Sequence, residues 1–200
     1  MDFEHILDNL YLHLNDCRMR PHQASHHLQS LRPAYNGNLF KNKVKTREGV
    51  AALDNLIQDL QHRPEHNNRL KWSFALHLAA DEQASVLGEE GILTTEGTRF
   101  HRSLPDRLKD YAIVKGRLTE VYEFGGNNAN EILEELLIDD GLISRKRRNT
   151  LLDPIFNYIG VGTSYHEKTG ACTVIILAED IISLGNFFIY DSCPRANWQI

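Results

Sequence analysis

Cysteine is scarce in this chain: three in 200 residues, Cys17, Cys172 and Cys193. Their wide spacing and odd number exclude a disulfide framework, and no pair stands at zinc-ligand separation. Free thiols in a reducing compartment are expected. Long apolar runs are also missing. The longest, such as Val174 to Ala178, fall far below the roughly 20 residues of a membrane span. The N-terminus, MDFEHILDNLYLHLNDCRMR, carries acids where a secretory signal needs a basic flank, and Asp8, Asn9 and His13 interrupt its apolar residues. There is no excess of positive charge: 22 Lys and Arg stand against 27 Asp and Glu, a net −5. Such a chain has no global pull toward nucleic acid or an anionic membrane, so affinity of that kind must come from a local patch. These absences predict a soluble, cytoplasmic protein with no transmembrane segment and no nucleic-acid partner.

What is present is helical periodicity first and strand pattern last. Phe3, Ile6, Leu7, Leu10 and Leu14 recur at helical spacing, and Pro21 to Leu31 reads as a second helix with proline at an allowed first position. Pro33 to Asn42 is turn-rich. Thr46 is placed as an N-cap for a helix carrying Val50, Leu53, Leu56, Ile57 and Leu60. A further helix holds Trp72, Leu76, Ala79, Ala80 and Gln83. From Gly88 to Gly116 the pattern is weak and reads as loop, with a short helix near Pro105 to Tyr111. Asn130 to Asp139 is a strongly amphipathic helix, with Gly141 placed to end it. Tyr158 to Tyr165 and Ala171 to Ala178 read as strands joined by a hairpin at His166–Gly170, and Asn186 to Tyr190 as an added strand. Helices before strands predict an α+β layered fold. Its parts are an N-terminal helical portion over 1–45, a core over 46–180 and an apolar tail over 181–200.

Four stretches carry a resemblance to a known family. Asn15 and Arg18 lie on the first helix and Pro21 opens the second; LKWSFALHLAADEQ spans Leu70 to Gln83; EILEELLIDDGLISRKRRNTLLDPIFNYIGVG spans Glu131 to Gly162; and GACTVI spans Gly170 to Ile175. In this order they resemble the CAP superfamily (cysteine-rich secretory, antigen-5 and pathogenesis-related proteins, with the SCP-like domain), in particular its bacterial and protist branch. The resemblance implies a three-layer α-β-α sandwich with a C-terminal antiparallel sheet. It also implies a cleft in which two histidines and two acids can hold a divalent metal.

Carried over position by position, that cleft is degenerate. The acid of the family's glycine–glutamate–asparagine motif matches Glu120, and the helix-borne acid matches Asp140, with Asp139 as the competing register. The histidine of the arginine–glycine–histidine–arginine loop falls on Arg147. The other histidine falls on Thr95 or Glu96, with His101 five residues beyond Glu96. A neutral imidazole offers a lone pair to a metal, whereas a guanidinium has none to give. No metal and no cofactor are therefore expected, and Arg147 is expected to turn inward onto Glu120, Asp140 or Asp139 as a substitute for the cation.

Other candidates are weaker. His22 and His26 share a helix face but lack a third ligand. Ser164, Ser183 and Cys172 have neither a glycine elbow nor an evident base. Arg145, Lys146 and Arg148 form the one dense basic run, which either contacts a partner or pairs with the acidic helix before it. Phe187, Phe188 and Trp198 make an apolar tail that covers the domain's own sheet edge or docks on another protein. The expected function is a non-enzymatic protein-binding or structural subunit, in a setting such as a cytoskeletal or organellar assembly. The alternatives are a lipid, sterol or anion binder and an atypical hydrolase built on Glu120 and His101.

Overall fold

The computed structural model describes residues 3–41, 43–93 and 102–191. Two helices open the chain, α1 (Phe3–Met19) and α2 (Pro21–Gln29), the second starting at Pro21 as its fixed backbone favours. A small antiparallel sheet follows, β1 (Tyr35–Asn36), β2 (Leu39–Phe40) and β3 (Val44–Lys45), in the segment whose composition reads as turns. Next come α3 (Val50–His62), β4 (Lys71–Ser73), α4 (Phe74–Glu90), α5 (Leu104–Leu108), β5 (Ala112–Phe124), α6 (Ala129–Ile138) and α7 (Lys146–Leu151). The strands β6 (Tyr158–His166), β7 (Gly170–Ser183) and β8 (Ile189–Tyr190) complete the described chain.

The main sheet runs β5-β7-β6-β4-β8, and helices cover both faces. Val121, Ile159, Val161, Ile175 and Leu177 point into one core with α1, α3 and α6. Val174, Ile176 and Ala178 point into the other, with α4 and α5. This is an α+β fold in three layers. β7 is buried on both faces, which is why its sequence is continuously apolar instead of alternating. The sheet is not assembled from the C-terminal strands alone. β4 joins parallel to β6, and β8 lies antiparallel on β4, with Trp72 opposite Tyr190.

β5 is the element that local pattern misses. It pairs along its length with β7, yet a register shift falls between Lys115 and Leu118 at Gly116, whose φ is +75°. An edge strand of this kind carries charge outward and a bulge in the middle, which breaks the period-2 signal. The boundary expected between core and tail at 180/181 falls inside β7.

The residues that carry the N-terminal resemblance act as fasteners. Leu70 N–H donates to Asn15 Oδ1 at 2.7 Å, and Tyr11 Oη donates to Leu70 O at 2.9 Å. Arg18, 1% exposed, donates to the carbonyls of Leu151, Asp153 and Phe156 at 2.8–2.9 Å. Gly160 and Gly162 let α4 lie directly on β6. A Cβ at Gly160 would sit 2.2 Å from the His77 nitrogen, and one at Gly162 would sit 2.2 Å from the Asp81 nitrogen. Backbone cannot yield as a side chain can. Gly160→Ala is therefore expected to lower stability by about 1–3 kcal/mol through overpacking, measured as a shift of the urea midpoint. An unchanged midpoint would refute the close approach.

Candidate functional site

Of the residues expected in the cleft, Asp139, Asp140 and Arg147 meet where α6 ends. α6 begins at Asn128, whose side chain accepts from Glu131 N–H at 3.0 Å. It stops at Asp139, which takes the left-handed conformation (φ +52°) two residues before Gly141. Asp139 is fully buried. Its carboxylate accepts from Arg147 Nε at 2.6 Å and from the Arg147 backbone N–H at 2.9 Å. Arg147 also lies 3.7 Å from Glu135. The inward turn expected of Arg147 is present, and its partner is Asp139.

Asp140 faces a different task. Its two oxygens accept from the backbone N–H groups of Arg47 and Glu48 at 2.6 and 2.9 Å. They cap the turn into α3, the role sequence assigned to Thr46. The helix instead starts after Gly49 without a side-chain cap. Arg145 completes this clamp, gripping both Glu48 oxygens at 2.5 and 2.7 Å and the Asp139 carbonyl at 2.7 Å. Arg148, 2% exposed, caps the end of α6 through the carbonyls of Leu137 and Ile138. Arg145 and Arg148 are thus spent inside the molecule and are not free partner contacts. Lys146 between them is exposed.

Glu120 is not part of this cluster. Val121 belongs to the α1/α3/α6 core, and Leu118, Tyr122 and Phe124 to the α4/α5 side. Alternation along the strand therefore turns Glu120 toward α4 and α5. There it pairs with Arg107, which is 1% exposed and also bound to Gln83 Oε1 at 2.8 Å. The strand acid on the Arg147 side of the sheet is Glu123, three residues on and overlooked in the sequence. It is 1% exposed, with Oε1 accepting from Gly126 N–H at 2.8 Å and Oε2 without a hydrogen-bond partner. Burial, helped by the neighbouring charge of Glu135, pushes its carboxyl up to about 7 against the pull of Arg147. The signal that could have found it was parity: Glu123 shares its face with Val121.

Thr95, Glu96, His101 and Trp198 lie outside the described residues. Phe187 packs inward, its ring 5.0 Å from Tyr111. Phe188 is 59% exposed, and its carbonyl accepts from Phe74 N–H. The described part of the tail covers the β4 edge. Burial pushes the thiols of Cys17 and Cys172 up to about 12, with help from Asp16 and Glu123 respectively, so neither is a ready nucleophile.

In front of the cluster is a groove of about 600 Å³ between the β1–β3 sheet and α6, walled by Tyr35, Phe40, Glu131, Glu135, Asp140 and Arg147. The two acids at the end of α6 are not free ligands. Both Asp139 oxygens and both Asp140 oxygens hold N–H groups, and Arg147 presents donors alone. Among the described residues, no group of three or more His, Cys, Asp or Glu is placed to hold a metal ion. The donor set around Arg147 does not fit a divalent cation.

The chain matches no family model and no curated protein. Among solved structures it is similar to an outer surface protein of Borrelia burgdorferi, with 21% identity over 57% of this chain and 79% of that one, at a TM-score of 0.45. It is also similar to an extracellular protein containing an SCP domain from Bacillus anthracis, with 17% identity over 64% of this chain and 38% of that one, at a TM-score of 0.44. Likenesses of this size fix neither family nor activity.

Proposed function

We propose that this chain is a non-enzymatic, intracellular binding or structural subunit on a CAP-like scaffold, its partner a protein, with an arginine where the metal-binding histidine would stand. The Arg147–Asp139 pair carries this reading. A permanent cation already neutralises the buried acid there, so an added divalent ion would meet repulsion instead of a lone pair. Glu120, the acid a hydrolase would need, is tied to Arg107 on the other side of the sheet. A second reading, a small apolar ligand, is supported by a groove of about 360 Å³ between α1, α2 and α6. Ala24, Leu28, Leu133 and Leu137 line it.

Native mass spectrometry with elemental analysis tests both. The expected result is a chain free of stoichiometric zinc, with Arg147→Ala folded but weakened by about 1–2 kcal/mol, because Asp139 keeps its backbone donors. One equivalent of zinc in the wild-type chain would overturn the first reading. A co-purifying lipid would favour the second.

A further inference from the structure

The loop between α6 and α7 holds its backbone in an unusual way. Asp139, Gly141 and Arg145 all have positive φ, at +52°, +77° and +47°, and two of them are not glycine. Such conformations persist only where the surroundings enforce them. Here the enforcement is the clamp of Arg145 on Glu48, with Gly141 N–H donating to the same carboxylate at 2.7 Å and Asp140 holding the turn into α3. The side chains displayed by this rigid frame are Leu142, 43% exposed, and Ile143, 97% exposed. Within the chain, the display brings no burial.

The exposed charged side chains directly beside the tip are two cations. Lys146 is exposed three residues on, and the Arg47 side chain, also exposed, lies across Gly141. Lys43 and Lys45 do not belong to the tip: they wall the Arg147 groove together with Glu131, Glu134 and Glu135. The acids nearest the tip, Glu48 and Asp140, are already bonded to Arg145 and to backbone N–H groups. The tip is convex, with grooves on both flanks: the one beside α6, and one of about 400 Å³ bordered by Arg117, Ser144 and Lys146. Two apolar side chains between hollows fall far short of the roughly 800 Å² per partner of a stable protein contact. A deformable surface can close around them.

We propose that the α6–α7 loop is a contact point for a bilayer carrying anionic lipids, with Ile143 and Leu142 entering the headgroup region and Lys146 and Arg47 meeting lipid phosphates. This is the local patch that a net-negative chain would need. It is independent of the Arg147 groove.

Co-sedimentation of the full chain with phosphatidylcholine vesicles, with and without phosphatidylserine, tests it. The expected result is binding that needs phosphatidylserine and falls with salt. Ile143→Asp should weaken it about tenfold or more, and Ile143→Trp should give an emission blue shift on the same vesicles. Ile143 is nearly fully exposed, so both variants should keep the wild-type circular dichroism. Ile113→Asp, on an exposed residue of β5, is expected to leave binding unchanged. No binding by the wild-type chain, equal binding to neutral vesicles, or retention by Ile143→Asp would overturn the proposal; the last would leave the basic patch serving an acidic protein instead.

Discussion

Replacing Arg18 by alanine should destabilise this protein by roughly 3–5 kcal/mol, the largest single effect expected from any one side chain here. Arg18 stands in the first helix, but its guanidinium reaches the segment after α7, where the carbonyls of Leu151, Asp153 and Phe156 all point at it. Those carbonyls belong to a stretch that leaves a helix and has not yet joined β6, so no ladder supplies them with donors. Burial pulls the Arg18 pKa down to about 10, still a cation at every working pH. Removing it strands buried acceptors and leaves a cavity, and the two costs act together. Arg18→Lys should rescue little, because a single ammonium cannot match the planar fork. Urea unfolding with an unchanged slope and a midpoint shift worth less than about 1 kcal/mol would show that water replaces the guanidinium.

The second large effect is a pH dependence set by Glu123. Its carboxyl is raised from 4.5 to about 7 by burial and by Glu135, with Glu131 adding and Arg147 opposing. Across the sheet it faces Thr173, which in turn faces Thr163, and the side-chain oxygens of both are buried without hydrogen-bond partners. A folded-state pKa above the unfolded one means that the native protein holds the proton more tightly. The stability this brings is complete below about pH 4.5 and is lost as pH rises through about 7. Glu123→Gln keeps the acceptor for Gly126 N–H and cannot ionise. The variant should match the wild type near pH 4.5 and exceed it by about 3 kcal/mol at pH 8, read from denaturation midpoints at the two pH values. An equal difference at both would show that Glu123 is not the titrating group.

Sequence alone determined the parts of this protein that local rules govern. The amphipathic spacing of α1, α3 and α6, the proline start of α2 and the turn at His166–Gly170 all depend on neighbours within a few residues. The inward turn of Arg147, onto a partner eight residues away, follows instead from the family resemblance. Tertiary structure decided the rest. β5 became visible only as the partner of β7, because a bulged edge strand has no clean alternation of its own. Glu120 and Glu123 look equivalent in sequence, and the placing of two helical layers on opposite faces of one sheet separates them. Asp140 holds the turn into α3 from more than ninety residues away, a role that no local scan of Thr46 could reveal. Arg145 and Arg148 read as a basic run for a partner or for the acidic helix before it, and only the fold brings Glu48, Asn55 and the end of α6 against them. The physical reason is common to all four: a side chain's neighbours along the chain set its conformation, but its partners in space set whether its charge is free or spent.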